Sequence, residues 1–111
     1  MDKVNILGTV YEIRYLGKDD DKRLEKIDGY CDFYSNIIVI CNDEYGTIHD
    51  FKAYERRCLR HEIVHAFLYE SGLAQNSNDV TQWAYNEEMV DWFAIQGEKI
   101  HKAWEEAGAL G

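Results

Sequence analysis

Apolar and polar residues alternate through residues 3–16, which is the pattern of a β-strand with one face in a core. From Thr9 onward, β-branched and aromatic side chains recur at every second position, as is common in strands. Gly8 interrupts the alternation and predicts a bulge or a bend. Residues 17–29 are polar and charged, so we expect an exposed connection with a helical turn around residues 23–27.

The next apolar region, residues 30–41, predicts a β-hairpin. Its arms are residues 30–34 and 37–41, and Ser35-Asn36 supplies the tight turn between them. The second arm is apolar on both faces, so we expect helices to cover it on one side.

From Thr47 the apolar residues recur at steps of three and four, which is typical of an amphipathic helix. The stripe consists of Phe51, Tyr54, Cys58, His61, His65 and Leu68. Thr47 and Asp50 have the spacing of a capping box, and Gly72 suits the left-handed position that ends a helix near Ser71. We therefore expect a central helix that carries both histidines inward, where water is scarce.

A second helix is predicted to start near Asp79, where Asp79 and Gln82 have the spacing of a capping pair. It runs to about Gly97, and a continuation reaches Glu106. Its apolar stripe consists of Trp83, Val90 and Ala94. Together the elements predict an α+β fold: a short antiparallel sheet packed on the central helix and a second, C-terminal helix. We expect one small domain over residues 1–111.

The chain of 111 residues carries a net charge of −9. Phosphate contacts need clustered lysine and arginine, so this charge argues against nucleic-acid binding through a basic patch. The longest apolar run, residues 37–41, is too short to span a bilayer, and the first residues do not form a signal peptide. The three cysteines lack metal-site spacing, and their odd number favours reduced thiols. We therefore expect a cytoplasmic protein without nucleic-acid or membrane partners.

The sequence H-E-x-x-H begins at His61, within the predicted central helix. His61 and His65 lie one turn apart on one face, so they can bind one metal ion, and Glu62 can polarise a water on it. The alternative is a helix with two partly buried histidines and an exposed glutamate. A catalytic zinc site needs a third protein ligand. The longer motif that supplies it from the same helix is excluded, because Leu68 and Ser71 replace its glycine and histidine.

A glutamate from the second helix is the favoured third ligand, since His49 and His101 stand at no recognisable spacing. Glu87 falls on the inward stripe of that helix, where an acid is costly unless it is paired or bound to a metal. Glu88 points about 100° away and is the alternative ligand. Asp91, one turn beyond Glu87, can accept a hydrogen bond from the second ring nitrogen of a ligand histidine. The competing interpretation of both Glu87 and Asp91 is an ordinary exposed acid on a helix.

These motifs resemble those of the ImmA/IrrE-like zinc metallopeptidases of bacteria, phages and mobile elements, which are zincins with glutamate as the third ligand. The resemblance covers residues 30–97 and rests on residues 37–41, 60–68 and 86–94. The last stretch matches the family pattern E-x-E-A-N/D-x-F-A at Glu87, Asp91, Phe93 and Ala94 and departs from it at Met89 and Val90. The resemblance implies a zincin-like fold.

It further implies a zinc ion bound by His61, His65 and Glu87, and hydrolysis of peptide bonds in an intracellular protein substrate. Glu62 takes a proton from the zinc-bound water and delivers it to the leaving amine. The substrate pairs with an edge strand, either residues 37–41 or their hairpin partner. Four residues are candidates for stabilising the oxyanion: Tyr45, Tyr54, Tyr85 and His101. The alternative function is a non-catalytic zinc-binding or acidic protein-interaction module of phage or mobile-element origin.

Overall fold

The computed structural model of the protein describes residues 2–44, 46–77, 83–107 and 110. The strands are β1 (Lys3–Ile6), β2 (Thr9–Leu16), β3 (Gly29–Asp32) and β4 (Ile37–Cys41), and the helices are α1 (Phe51–Glu70) and α2 (Glu87–Glu106). Two short 3-10 turns lie between them, Lys22–Glu25 before β3 and Trp83–Tyr85 before α2. One sheet with two helices confirms the predicted α+β class. Within the described residues, neither helix is long and apolar enough to cross a membrane.

The four-stranded sheet is mixed, with the order β1-β2-β4-β3. The outer pairs, β1 with β2 and β3 with β4, are antiparallel, but the central pair, β2 with β4, is parallel. The prediction of an antiparallel sheet is therefore wrong at its centre. Parallel neighbours need a crossover of a dozen or more residues. Residues 17–36 supply that crossover and return the chain so that β4 runs beside β2 in the same direction.

The single strand predicted over residues 3–16 is two strands joined by a tight turn. Leu7 and Gly8 have φ angles of 52° and 97°. Positive φ at both central residues matches the two-residue hairpin turn whose twist fits that of the flanking strands. The side-chain oxygen of Asn5 accepts a hydrogen bond from the Gly8 amide at 2.8 Å. The apolar Leu7 continues the alternation through the turn, which is why the pattern predicted one strand.

β4 is buried on both faces, as its sequence predicted. Ile38 and Ile40 pack with Ala66 of α1 in one core cluster. On the other face Val39 packs with Leu24 of the first 3-10 turn. The predicted hairpin of β3 and β4 is confirmed, although β3 ends two residues before the predicted arm does, at Asp32. A helix covers one face of β4, as expected, and the crossover covers the other.

α1 begins at Phe51, four residues later than predicted. Asp50 caps the helix itself, because its carboxylate accepts a hydrogen bond from the Ala53 amide at 3.0 Å. The predicted capping box with Thr47 is therefore wrong. The C-terminal end is confirmed: the last helical residue is Glu70, and Gly72 adopts the left-handed conformation with a φ of 82°.

α2 begins at Glu87 rather than near Asp79. The side chain of Asn86 accepts a hydrogen bond from the Met89 amide at 2.9 Å and caps this helix. The predicted capping pair of Asp79 and Gln82 lies outside the described residues. The cap at Asn86 therefore makes Glu87 the first residue of α2.

α2 packs against α1 through Val90 and Ala94, which are 0% and 1% exposed. Arg60 of α1 reaches across and donates from Nε to the Ala94 carbonyl at 2.6 Å. Trp83, which the sequence predicted on the same apolar stripe as Val90 and Ala94, lies instead in the second 3-10 turn and is half-exposed. Beyond the contact with α1, α2 continues through Gly97 to Glu106, as predicted.

Candidate metal centre

A cleft of about 880 Å³ opens between β3, α1 and the beginning of α2. Its lining includes Asp28, Gly29, Cys31, Tyr54, Arg57, His61, Glu62, His65, Tyr85, Glu87, Glu88 and Asp91. The sheet edge, the H-E-x-x-H segment and the acids of α2 therefore face the same space.

His61 and His65 project from the second half of α1, one helical turn apart. Their ring centroids lie 4.9 Å apart. Their side chains are 21% and 15% exposed, so both are partly buried, as predicted, but open to the cleft. Burial lowers the pKa of His65. The neutral imidazole, which is the form that binds a metal, is therefore favoured at this position.

Glu87 meets both histidines at the mouth of the cleft. Its Oε1 atom lies 3.2 Å from Nε2 of His61 and 2.8 Å from Nε2 of His65. In the part of the chain that the structure describes, these three residues form the one group of metal-ligating side chains close enough to share an ion. The three ligand atoms lie within 4.8 Å of one another, so the group could hold a metal ion. Imidazole nitrogens and a carboxylate oxygen are donor types that zinc takes.

The exposure of Glu87 differs from the buried position that the sequence predicted for it. Its side chain is 71% exposed, not buried on the inward stripe. Because α2 starts at Glu87, this side chain lies beyond the packed contact between the helices and reaches the histidines from the rim. Glu88, the alternative ligand, also lines the cleft, but it is not in the group with His61 and His65.

Asp91 lies behind His61, on the side of the ring away from Glu87. Its Oδ1 atom is 3.3 Å from Nδ1 of His61. Its Oδ2 atom accepts a hydrogen bond from Nη2 of Arg57 at 2.7 Å. Partial burial raises the pKa of Asp91, but the hydrogen bonds from Arg57 and His61 outweigh it and hold that pKa below its usual value. Arg57 was not predicted from the sequence: it lies one turn before His61 on α1, but the contact that distinguishes it is with Asp91 on α2.

Glu62 is 7% exposed and lines the cleft beside the histidines. Burial raises the pKa of its carboxyl group to about 7, and the nearby negative charge of Glu87 adds to that shift. His61 and the thiol of Cys31 act in the opposite direction. The thiol also donates to the Glu62 backbone carbonyl at 3.1 Å, which joins β3 to α1. A carboxyl group with a pKa near neutrality can both accept and donate a proton at physiological pH.

The other residues considered as metal ligands or oxyanion donors differ in whether they line the cleft. His49 and His101 are exposed and are not among the described residues that line the cleft, and His101 pairs with Glu105 at 3.4 Å. Tyr45 lies outside the described residues. Tyr54 and Tyr85 line the cleft.

The hydroxyl of Tyr54 is engaged with the sheet edge. It donates a hydrogen bond to the Asp28 carboxylate. Burial and this hydrogen bond raise the pKa of Tyr54. Tyr85 lies in the 3-10 turn two residues before Glu87 and is 38% exposed. The two tyrosines therefore differ: Tyr54 is hydrogen-bonded to Asp28, the residue before β3, and Tyr85 stands at the cleft mouth.

β3 is the sheet edge that borders the cleft, whereas β4 lies inside the sheet between β2 and β3. Of the two strands considered for substrate pairing, β4 is therefore excluded. The Cys41 amide donates to the Asp28 carbonyl at 2.8 Å. Since hydrogen-bonded pairs alternate in an antiparallel ladder, the backbone groups of Gly29 and Cys31 point away from β4.

No protein-family model, curated protein or solved structure matches this chain. The chemistry assigned to the cleft therefore depends on the geometry of its own residues.

Proposed function

We propose that the protein is a zinc-dependent metallopeptidase that hydrolyses peptide bonds of a protein substrate. The observation that carries this proposal is the convergence of His61, His65 and Glu87 on one point at the mouth of a cleft, beside Glu62. Two imidazoles and one carboxylate are a ligand set of catalytic zinc sites, which keep a fourth position open. Partial exposure of all three ligands supports such an open position.

A zinc ion held by these residues would lower the pKa of a bound water and polarise the substrate carbonyl. Glu62 acts as the general base: its carboxylate accepts a proton from the attacking water and then delivers it to the leaving amine. Its burial supports this role, since a pKa of about 7 suits proton transfer in both directions near neutral pH. Asp91 holds the proton on Nδ1 of His61, so that Nε2 is free to bind the metal.

Tyr85 is the residue that we assign to oxyanion stabilisation. The competing Tyr54 donates its hydroxyl hydrogen to Asp28, so it is committed to the sheet edge. Tyr85 lies in the same cleft, on the turn that leads directly into Glu87. A hydroxyl donor placed at the cleft mouth can stabilise negative charge that develops on the carbonyl oxygen.

The substrate is an extended peptide that adds to the free edge of β3. The outward backbone groups of Gly29 and Cys31 supply the hydrogen bonds. Gly29 also has to be small: a Cβ there would come within 2.8 Å of the Val39 carbonyl oxygen. A peptide bound along this edge passes over Glu62, because the side chain of Glu62 lies close to Gly29.

The test is metal content followed by cleavage. The purified protein is expected to bind one zinc ion per chain, measured by mass spectrometry under native conditions after zinc loading. The loaded protein is then incubated with a proteome-derived peptide library, and new termini are identified by mass spectrometry. Cleavage that disappears with a chelator and in Glu62→Gln supports the peptidase. Failure to bind zinc overturns the metal centre, whereas zinc binding without cleavage assigns the non-catalytic binding module instead.

A further inference from the structure

Arg57, Asp91 and His61 form a continuous chain of contacts behind the candidate metal ligands. Nη2 of Arg57 lies 2.7 Å from Oδ2 of Asp91, and Oδ1 of the same carboxylate lies 3.3 Å from Nδ1 of His61. The two oxygens of Asp91 are therefore divided between the arginine and the histidine. The carboxylate cannot rotate towards solvent without losing both contacts.

We propose that Arg57 is a positioning residue for the metal centre, a role that rests on the proposed zinc site. Arg57 lies one turn before His61 on α1, and Asp91 lies one turn after Glu87 on α2. The ion pair thus joins the two helices that carry the ligands, one turn away from the ligands on each helix. It fixes the orientation of the His61 ring through Asp91 and the separation between His61 and Glu87.

The helix pair contains a natural control for this role. Arg60 also reaches from α1 to α2, where it donates to the Ala94 carbonyl at 2.6 Å and lies 3.8 Å from Glu98. Among the described residues, no hydrogen bond or ion pair joins Ala94 or Glu98 to a candidate metal ligand. If an arginine between the helices mattered only for packing, loss of Arg60 and loss of Arg57 would affect the metal site alike.

Stability alone cannot account for an effect of Arg57 on zinc binding. The side chains of Arg57 and Asp91 are 41% and 38% exposed. Exposed ion pairs of this kind contribute little to the free energy of unfolding. Outer partners of metal ligands, in contrast, typically change metal affinity by about 10–100-fold when they are removed.

The experiment measures zinc affinity by competition with a chromophoric chelator for the parent and the variants Arg57→Met, Arg57→Lys and Arg60→Met. We expect Arg57→Met to weaken zinc binding by about 10–100-fold. Arg57→Lys should restore part of the loss, because it keeps a charge that can reach Asp91. Arg60→Met should bind zinc as the parent does, even where it unfolds at a lower urea concentration.

A double-mutant cycle tests whether Arg57 acts through Asp91. The combination of Arg57→Met with Asp91→Asn should weaken zinc binding no further than Asp91→Asn alone, because the proposed role of the arginine runs through that carboxylate. Additive losses would overturn the proposal. Equal losses of affinity in Arg57→Met and Arg60→Met would also overturn it, because they would show a packing effect.

A measurement on the metal-free protein separates this proposal from the proposed function. Nitrogen-15 NMR reports which ring nitrogen of His61 carries the hydrogen. We expect the form with the hydrogen on Nδ1 to be less populated in Arg57→Met than in the parent, with Arg60→Met unchanged. If the parent does not bind zinc, the proposed function fails while this result still tests Arg57. An unchanged tautomer population in Arg57→Met would overturn the positioning role.

Discussion

Nε2 of His65 lies 2.8 Å from Oε1 of Glu87, although 22 residues separate them along the chain. Two local features bring the pair together. The Asn86 cap makes Glu87 the first residue of α2, and the buried Val90 holds that end of the helix against α1. The beginning of a helix also favours a negative charge through its macrodipole. The carboxylate is thus held beside two imidazoles, in a group that could bind one metal ion.

The first prediction separates the two neighbouring acids of α2. Glu87→Gln should release zinc, because its carboxylate oxygen contacts both histidine nitrogens. Glu88→Gln is the matched control and should bind zinc as the parent does, since Glu88 lines the cleft outside the ligand group. Zinc per chain after dialysis, measured by mass spectrometry, gives the answer. Zinc lost from Glu88→Gln and kept by Glu87→Gln would reassign the third ligand.

The second prediction separates zinc binding from catalysis. Glu62→Gln should retain zinc, because Glu62 is not in the ligand group, and should lose hydrolysis by at least about 100-fold, as expected for a missing general base. His65→Ala should lose both zinc and activity. Zinc content and the rate of peptide cleavage are measured on the same preparations. Full activity of the Glu62→Gln protein would contradict the mechanism.

The site was predictable from sequence where it depended on local spacing. His61 and His65 are one turn apart in any helix, and the helix itself follows from the steps of three and four around Cys58. Glu87 was identified for a reason that the structure corrects, since its side chain is mostly exposed. Arg57 was missed because a polar residue beside an apolar stripe is ordinary until its partner on α2 is known.

The sheet was less predictable because strand order depends on contacts distant in sequence. The β3–β4 hairpin is local and was recognised from Ser35-Asn36 between two apolar arms. The parallel pairing of β2 with β4 depends on where the crossover docks, and in the structure Leu24 places it against Val39. The alternation of residues in β2 and β4 does not specify whether the two strands pair parallel or antiparallel. The turn between β1 and β2 was likewise not predicted, because it needs positive φ at two residues and one of them is the apolar Leu7.

A third prediction concerns the two tyrosines of the cleft. Tyr85→Phe should lower kcat by about 10–100-fold with little change in KM, because a donor to the oxyanion acts only in the transition state. Tyr54→Phe is the comparison: its hydroxyl donates to Asp28, so its loss should lower stability more than kcat. Steady-state kinetics on one cleaved peptide and urea denaturation distinguish the two effects. A larger loss of kcat in Tyr54→Phe would exchange the roles.

A fourth prediction concerns the cost of burying Glu62. Its pKa is raised from 4.5 to about 7 by burial, so the folded chain holds this proton more tightly than the unfolded chain does. The contribution of Glu62 to the free energy of unfolding therefore decreases as pH rises from 4.5 to about 7, and the destabilisation reaches its full size above pH 7. Glu62→Gln removes the effect. In metal-free protein, we expect the unfolding free energy of Glu62→Gln minus that of the parent to increase by about 2–3 kcal/mol between pH 5 and pH 8.

The comparison between parent and variant removes the opposite effect of His65. Burial lowers the pKa of His65, so its contribution to stability rises with pH in both proteins and cancels in the difference. Urea denaturation of chelator-treated samples at several pH values measures the difference directly. Glu88→Gln, the same substitution at an exposed position of the cleft, is the matched control. A difference that does not change with pH would show that Glu62 is not destabilised by burial.

The last prediction concerns the hydrogen bonds that hold α1 against the sheet. The hydroxyl of Tyr11 on β2 donates to Oε2 of Glu70 at 2.7 Å, and Thr9 donates to Oε1 at 2.8 Å. Tyr11 is completely buried, so its removal leaves a carboxylate oxygen without its donor. Tyr11→Phe should lower the unfolding free energy by about 1.5–3 kcal/mol.

Tyr34→Phe is the control for this loss, because Tyr34 is 95% exposed in the turn between β3 and β4. Its unfolding free energy should stay within about 0.5 kcal/mol of that of the parent. Urea denaturation of both variants at one pH measures the difference. Because Glu70 is the last residue of α1 and lies more than a turn beyond His65, the zinc affinity of Tyr11→Phe should remain that of the parent. Equal stability of the two variants would show that this hydrogen bond does not anchor the helix that carries the two histidines of the candidate site.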